Sequence, residues 1–520
     1  MFSDKKATNM QRTATKTPNN GVQHEVDSQD DKRKIGVTGA AFLILNRIVG
    51  TGIFATPSEI FAKAGSVGMA LILWVFGGVI TFCGLSVFLE FGLAIPRSGG
   101  EKVYLERVYR WPRGMTSFAM AAQLILLVWP ASNALAFGRY VLLANGIAQD
   151  GWPARGVGVA LVVAINVLCA ITPKWSIYVS NILGIIKTLV LLLIVGAGLA
   201  ALAGHRQAPN PQNFKNVFAV EDASGYSVYG ISSAMLGVIF SFRGWENANY
   251  IAGELKDPRK TLALATPLAV GGVTILYTLV NIAFFAVVPR SDLIKAEVLV
   301  SGLFFEKMFG EFGVARVLPV FIAISNAGAA LAFSYTHARV IQNLGKENLL
   351  PYSMFWTSDR PFGSPTAALL LQSFMTIVVL IAPPPGPAYS FIISLTAYPT
   401  TWIHAFVTGG LIWLRFRKSE NWSSPWRSPV IILVLYLFTN IFLLLAPFIP
   451  NPQNNRKGAY PYFTVPLVGT LTLFLCILYW FIRMRLLPQW RGYVIVGEHR
   501  TDSNQCTYIV YKKMKFSKQH

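Results

Sequence analysis

Residues 40–60 read AAFLILNRIVGTGIFATPSEI, and residues 232–260 read SSAMLGVIFSFRGWENANYIAGELKDPRK. Both stretches are apolar enough to enter a membrane, yet glycines and polar residues interrupt each of them. Glycine permits non-helical backbone dihedrals, so the chain can unwind at both places. Unwound backbone at membrane depth is tolerated only where it is buried in protein or lines a cavity. The first interruption alone also fits a small-residue packing motif, but two interrupted helices in corresponding halves of a chain indicate a transporter binding site.

The composition is that of a membrane protein. Hydrophobic residues make up 53% of the 520 positions and charged residues 13%, about half the charged share of a globular protein. The net charge of +21 comes from Lys and Arg in short segments between apolar runs, such as 97–113 and 415–427. Nucleic-acid binding requires a continuous basic face, so we expect no nucleic-acid partner and take the lipid bilayer as the environment.

Hydropathy predicts an all-α integral membrane protein of about twelve transmembrane helices, most of which reach the ~20 residues needed to cross a bilayer. The predicted spans are 37–61, 68–95, 115–144, 156–172, 175–203, 229–253, 263–288, 314–342, 365–382, 388–414, 428–448 and 462–484. The predicted regions are a disordered N-terminal tail at 1–34, helices 1–5 at 35–203, helices 6–10 at 204–415, helices 11–12 at 416–487, and a C-terminal tail at 488–520.

The loop charges predict the orientation. Lys and Arg are roughly twice as frequent in segments on the side of the N-terminus, which places both termini in the cytoplasm. The sequon at Asn421 then lies in a cytoplasmic loop, so we expect no glycan there. Residues 291–313 mix charges with helically spaced apolar residues, which predicts an amphipathic helix at the interface. It is either a lid over an outer vestibule or a packing helix.

Two broken helices suit a zwitterionic substrate. A break leaves backbone N–H groups free at the start of one half-helix and carbonyl groups free at the end of the other. The N-terminal end, at Thr51 to Ile53, is predicted to hold a carboxylate. The carbonyl end, at Phe240 and Ser241, is predicted to hold an ammonium group. An amino acid satisfies both ends without a charged side chain.

Lys187 is an isolated charge in the apolar run NILGIIKTLVLLLIVGAGL. Twelve residues from Trp175 at a rise of ~1.5 Å place it about 18 Å deep, near the membrane midplane. An ionisable residue at that depth is a functional hypothesis by default. Lys187 is predicted to act as a fixed cation in place of sodium or as a proton carrier. The alternative is a structural lysine that donates to backbone carbonyls.

Four further ionisable residues lie within the predicted helices. Arg243 and Glu246 are three positions apart and are predicted to pair on one face of helix 6. The alternatives are a substrate carboxylate contact for Arg243 and a proton-accepting or gating role for Glu246. His337 and His404 stand alone, without metal-ligand spacing, and are interpreted as polar groups with hydrogen-bond partners. We expect no metal site and no cofactor.

Three motifs in order, GTGIFATP at 50–57, SGGEKVYLERVY at 98–109 and GWENANYIAGELKDPRK at 244–260, resemble the amino acid–polyamine–organocation (APC) transporter superfamily. Within it, the L-amino-acid-transporter-like branch and its fungal high-affinity methionine permeases are the nearest. The resemblance covers residues 36–420. It implies a LeuT-like 5+5 inverted repeat with helices 1 and 6 broken, two further C-terminal helices, and transport by alternating access.

The resemblance also implies site residues. Those predicted to bind substrate are Ile48, Gly50, Thr51, Gly52, Phe240 as the aromatic gate, Ser241, Gly244, Ser325, Asn326, Tyr398 and Trp402. Lys187 matches the lysine that replaces a sodium ion in proton-coupled relatives. The charged Arg243 and Glu246 depart from the mammalian exchangers. Residues 145–155 contain no cysteine, so a disulfide-linked heavy chain is not expected.

The sequence therefore predicts a plasma-membrane amino acid permease rather than an enzyme. Its predicted activity is proton-coupled uptake of L-methionine or another large neutral amino acid. An exchanger of the same fold and an amino-acid-sensing transceptor are the alternatives. Lys5, Lys6 and Lys16 in the N-terminal tail are candidate ubiquitin acceptors, which would involve a ubiquitin-ligase adaptor as a partner.

Overall fold

A computed structural model describes residues 35–147, 151–205, 209–220, 228–250, 252, 255–295, 300–312, 318–382, 388–449, 463–501 and 507–515. The predicted N-terminal tail, with Lys5, Lys6 and Lys16, lies outside these residues. The helices in chain order are α1 Val37–Ile48, α2 Thr51–Ala55, α3 Pro57–Ala64, α4 Val67–Ala94, α5 Glu101–Val108, α6 Met115–Leu126, α7 Ala131–Ala144, α8 Trp152–Ile171, α9 Pro173–Leu202, α10 Val228–Phe242, α11 Asn247–Tyr250, α12 Pro258–Val287, α13 Arg290–Lys295, α14 Val300–Phe312, α15 Leu318–Lys346, α16 Ser353–Thr357, α17 Thr366–Ile381, α18 Ala388–Phe416, α19 Val430–Leu445, α20 Thr464–Phe481 and α21 Leu487–Arg491.

The helices confirm an all-α membrane protein. Within the described residues, eight helical segments are long and apolar enough to cross a membrane, and α1, α10 and α17 are shorter apolar helices. Each of the twelve predicted spans overlaps a helix. The count of twelve crossings, the inverted repeat and the predicted region boundaries stay predictions.

Local sequence signals set several helix ends. Gly65 has φ 75° and ends α3, and the Ser66 hydroxyl then accepts a hydrogen bond from the Met69 amide at 3.3 Å to cap α4. Asp257 caps α12 in the same way through the Lys260 amide, and Pro258 occupies the first helical position. Such caps satisfy amides that have no partner inside the helix.

Predicted helix 1 is interrupted as the glycines indicate. α1 ends at Ile48, the backbone is extended at Val49, and α2 begins after Gly50. A second bend at Thr56 separates α2 from α3, which begins with Pro57. Predicted helix 6 is interrupted as well, because α10 ends at Phe242 and α11 begins only at Asn247. Both interruptions were predicted from the sequence and are confirmed.

The predicted amphipathic segment contains α13 and α14, while residues 296–299 and 313–317 lie outside the described part of the chain. On α14 the Ser301 hydroxyl donates to the Phe54 carbonyl at 3.3 Å, and the Phe304 ring packs on the Phe284 ring at 5.5 Å. The segment therefore packs against the half-helix α2 and against α12, as the packing interpretation requires.

The C-terminal segment forms two strands that the sequence analysis did not predict. β1 Tyr493–Thr501 pairs antiparallel with β2 Thr507–Lys515. Tyr511 anchors the hairpin: its amide donates to the Glu347 carbonyl at 3.1 Å, its hydroxyl lies 3.0 Å from the Ser117 hydroxyl, and its ring packs on Phe118. The tail predicted at 488–520 thus contains a hairpin docked on the helices.

Candidate functional site

The two interrupted helices contact each other at their breaks. A Cβ atom built on Gly52 would lie 2.5 Å from the Ser241 Cα atom, and one built on Gly244 would lie 2.5 Å from the Arg47 Cγ atom. The Thr56 hydroxyl lies 2.9 Å from the Ser241 hydroxyl. Each half of helix 1 therefore packs on one half of helix 6, and glycine on both sides permits the close approach.

Gly244, in the break of helix 6, has a backbone conformation that glycine adopts readily and other residues do not. Its φ of 120° lies in a region that L-residues rarely adopt. The Glu246 carboxylate accepts a hydrogen bond from the Gly244 amide at 3.0 Å, and the Arg243 amide donates to the Phe240 carbonyl at 3.1 Å. The charged residues of this turn thus help to hold the break in helix 6.

Side chains of neighbouring helices occupy the carbonyl end of α1. The Lys187 ammonium group donates to the Asn46 carbonyl at 3.0 Å and to the Val49 carbonyl at 2.8 Å. The Tyr277 hydroxyl donates to the Ile48 carbonyl at 3.0 Å. These carbonyls lack helical partners because α1 ends there, and the negative end of the helix dipole favours a cation beside them.

Lys187 is 1% exposed, and its two hydrogen bonds attach its ammonium group directly to the backbone at the break in helix 1. The structure therefore places the predicted ion-coupling residue at the predicted binding region, 138 positions from Val49 in sequence. α15 closes the other side of the ammonium group, because a Cβ built on Gly328 would lie 3.1 Å from the Lys187 Cε atom. Its donation to backbone carbonyls also fits the structural alternative.

The predicted residues of α15 lie along the same break. Ser325 and Asn326 are buried, and the Ser325 hydroxyl and the Asn326 side-chain oxygen have no hydrogen-bond partner among the described residues. One turn further on, the Ala329 Cβ lies 3.4 Å from a Cβ built on Gly50. Polar atoms without partners are rare in a protein interior, so this face suits a polar ligand.

For three residues that were predicted to bind substrate, Phe240, Tyr398 and Trp402, the contacts that the structure describes lie outside the break in helix 1. Phe240 is half-buried at the end of α10. The Tyr398 hydroxyl donates to the Leu444 carbonyl at 2.9 Å, and its ring lies 2.9 Å from a Cβ built on Gly469, so Tyr398 faces the C-terminal helices. Trp402 stacks on Phe406 at 6.0 Å. Of Thr51 the structure describes the backbone position at the start of α2 and not the side chain.

A cavity, here called the inner cavity, lies beside the break in helix 6. Its charged and titratable lining residues are Arg47, Glu101, Arg243, Glu246, Tyr250 and His337. It measures about 30 Å³, enough for a water molecule and too small for an amino acid. The Arg243 guanidinium donates to the Thr400 hydroxyl at 2.7 Å. The predicted pairing of Arg243 with Glu246 stays a prediction.

The structure adds residues that sequence reasoning missed as site residues. Asn46 donates from its side chain to the Ser180 carbonyl and, at 2.9 Å, to the Ser180 hydroxyl, which fixes the end of α1 against α9. Tyr277, which lies on α12, donates a hydrogen bond to the Ile48 carbonyl. Asn46 is a polar residue inside an apolar helix and could have been found by that signal, whereas nothing in the sequence distinguishes Tyr277 from other tyrosines.

Comparison with known proteins identifies relatives along almost the whole chain. The family profile described as "Amino acid permease" matches residues 35–475. The High-affinity methionine permease of Saccharomyces cerevisiae is 35% identical over 485 residues, which cover 92% of this chain and 84% of that protein. The Low-affinity methionine permease of the same organism is 31% identical over 89% of this chain and 85% of its own. The human Asc-type amino acid transporter 1 is 29% identical over 81% and 79%.

Proposed function

The chain belongs to the amino acid permease family, and from that premise we propose that it takes up a large neutral amino acid, L-methionine first among them, together with a proton. The family makes the chain a multi-pass membrane protein that transports amino acids, and not an enzyme. Methionine is proposed because the names of two relatives specify it. The plasma membrane and two cytoplasmic termini are the proposed location and orientation.

The contact of Lys187 with the Asn46 and Val49 carbonyls supports proton coupling. A protonated lysine provides a full charge to the carbonyl end of α1, and loss of the proton removes that charge. A buried ammonium group also costs more free energy than a neutral amine. Protonation of Lys187 would therefore change how firmly α1 is held against α9, and we propose that this change allows the alternating-access movement of helix 1.

The proposed substrate site is the crossing of the two breaks. The amide groups that begin α2, from Gly50 to Gly52, would bind the substrate carboxylate, and the carbonyls that end α10, at Phe240 and Ser241, would bind the ammonium group. Ile48, Gly244, Ser325 and Asn326 would complete the pocket. Gly52 on α2 contacts Ser241 on α10 directly, so these two helices would have to separate there before the substrate could enter.

Replacement of Lys187 tests the coupling. Lys187→Ala should abolish accumulation of labelled L-methionine in proteoliposomes with an imposed pH gradient, because the break loses its titratable cation. Lys63→Ala is the matched control. Lys63 pairs with Glu59 at 2.6 Å on α3 and is one-third exposed, so its loss should leave accumulation at the wild-type level.

The rival functions give different results in the same vesicles. Wild-type uptake that a protonophore leaves unchanged, and that needs amino acid inside the vesicle, would replace the proton-coupled permease with an exchanger. Binding of methionine without any transport would favour a transceptor.

A competition panel tests the substrate. We expect methionine and other large neutral amino acids to inhibit labelled methionine uptake most strongly, because two relatives are methionine permeases by name and the two backbone termini can bind a zwitterion without a charged side chain. One methylene changes selectivity by only ~1–3 kcal/mol, so the panel should include all twenty amino acids. Inhibition by arginine but not by leucine would contradict a neutral substrate.

A further inference from the structure

A chain of four hydrogen-bonded side chains leads away from the inner cavity, and the proposed function does not use it. The Tyr250 hydroxyl donates to one oxygen of the Glu101 carboxylate. The other oxygen lies 2.9 Å from Nε2 of His404, and Nδ1 of His404 lies 2.8 Å from the Tyr436 hydroxyl. The chain joins α11, α5, α18 and α19, so it connects helix 6 with the C-terminal helices.

One distribution of protons satisfies every member of this chain. An ionised Glu101 accepts from Tyr250 and from the Nε2–H group of a neutral His404, and Nδ1 then accepts from the Tyr436 hydroxyl. This tautomer is assigned from the hydrogen-bond network. In this state Glu101 and His404 together carry a charge of −1 while they are only 3% and 7% exposed.

Aromatic rings shield the pair from water. The rings of Phe88 and Trp245 pack on the His404 imidazole at 5.3 Å and 5.8 Å and exclude water from it. Among the described residues, the charged and titratable groups that face the four-member chain, besides its own members, are Arg47, Arg243, Tyr104, Glu246 and Cys83. Arg243 and Glu246 are opposite in sign, and Arg47 faces Tyr250 at the cavity end of the chain. A negative charge that is shielded from water is costly, and one added proton removes it from the pair.

We propose that Glu101 and His404 form a shared proton-binding site, separate from Lys187, which a proton reaches through the inner cavity. A protonated water in the cavity gives its proton to the pair, the water becomes neutral, and the pair changes from −1 to 0. The proton belongs to the pair as a unit, because two groups this close titrate together. The inference rests on the proposed proton-coupled uptake and assigns it a second proton site.

The shared proton site lies beside the break in helix 6, where the proposed transport movement would take place. Glu101 and Tyr250 line the inner cavity together with Arg47 and Glu246, so the site borders the break in helix 6. The Glu101 segment lies on the side of the membrane that the loop charges predict to be cytoplasmic. Binding of a proton there would weaken the hydrogen bond from the Tyr250 hydroxyl to the Glu101 carboxylate. Tyr250 lies on α11, the second half of helix 6.

The test is the pH dependence of methionine exchange at equal pH on both sides of proteoliposomes, which requires no proton gradient. The exchange rate of the wild-type protein should change with pH and show a midpoint. Glu101→Gln should move it, because the amide cannot ionise and His404 loses its negatively charged partner. Tyr436→Phe should also move it, because Nδ1 loses the hydroxyl group that donates to its neutral form and accepts from its protonated form. Tyr436→Phe removes one oxygen and keeps the ring, so it should remain folded.

His337→Gln is the matched control. His337 is a buried histidine that also lines the inner cavity, and it makes no hydrogen bond to a described side chain. It should keep the wild-type midpoint. If Glu101→Gln and Tyr436→Phe both keep that midpoint, or if His337→Gln moves it instead, the shared site is wrong.

The two proposals fail in different ways. Proton-driven accumulation that depends on Lys187, with an unchanged midpoint in Glu101→Gln and Tyr436→Phe, would overturn this inference and leave the proposed function in place. Absence of proton-driven accumulation by the wild-type protein would overturn the proposed function, even if the midpoint in exchange moved as expected.

Discussion

Single glycines determine how closely the two broken helices approach. Gly52 contacts the backbone of Ser241, and Gly244 contacts the backbone of Arg47 and Ile48. Any Cβ atom at Gly52 would come closer to Ser241 than van der Waals contact allows, and the nearest atom is the Ser241 Cα atom, which cannot rotate away. The small size of this residue is therefore a requirement of the crossing itself.

Gly52→Ala should push α2 away from α10. We expect a loss of stability of about 1–3 kcal/mol, as for other overpacked interiors, together with loss of uptake. Thermal unfolding in detergent and methionine uptake would measure the two effects.

Gly272→Ala is the matched control on α12, because a Cβ atom there meets nothing within 4 Å. It should leave uptake intact and stabilise its helix by about 0.5–1 kcal/mol. Wild-type stability of Gly52→Ala with normal uptake would show that the breaks do not touch in the membrane.

Between elements, one buried carboxylate fixes the connection from α18 to α19. Glu90 on α4 is fully buried and forms an ion pair with Arg415 at the end of α18. It also accepts from the Trp422 indole at 3.0 Å and from the Ser428 amide at 2.9 Å, while the Glu90 carbonyl accepts from the Ser424 hydroxyl. Three points of the connection are thus attached to one residue.

Glu90→Gln should destabilise the protein by about 3–5 kcal/mol, because it leaves the Arg415 charge buried without its partner. Thermal unfolding in detergent would measure the loss. Glu420→Gln is the control in the same connection. The Glu420 carboxylate pairs with Arg107 and Arg110 near the surface.

The hydrogen bond from Arg107 holds the pKa of Glu420 below its ordinary value. The ionised form therefore stabilises the folded protein above the unfolded pKa, and this contribution is lost as pH falls. Solvent screens such a pair, so Glu420→Gln should change the unfolding temperature little at neutral pH. Equal losses in the two variants would contradict the central role assigned to Glu90.

For the whole molecule, the distribution of loop charges predicts which side of the membrane each loop faces. Asn421 is exposed at the surface in the α18–α19 connection, and the loop charges predict that this connection lies in the cytoplasm. Burial therefore does not protect the sequon, and only topology would keep it free of glycan.

Expression in yeast followed by endoglycosidase treatment should show no change in the mobility of the wild-type protein. Phe218→Thr is the positive control, because it creates a sequon at exposed Asn216, in a loop that is predicted to lie on the opposite side of the membrane. That variant should gain a glycan. A mobility shift of the wild-type protein that Asn421→Gln removes would reverse the predicted orientation.

The sequence by itself determined the membrane class, the approximate positions of the helices and both interruptions. Hydropathy and glycine act locally, so they can be read along the chain without knowledge of its contacts. Lys187 was visible in the sequence for the same reason, because a charge in an apolar run is anomalous wherever that run packs. The C-terminal strands were missed because a short, polar, alternating segment gives a weak signal beside transmembrane helices.

Only the tertiary structure decided which atoms these features meet. Lys187 contacts carbonyls of α1, Gly52 contacts Ser241 of α10, and Tyr277 reaches Ile48 across 229 positions. The links from Glu101 to His404 and from Glu90 to Arg415 span 303 and 325 positions. Such partners depend on how helices distant in sequence pack together, and no local pattern of residues encodes that packing.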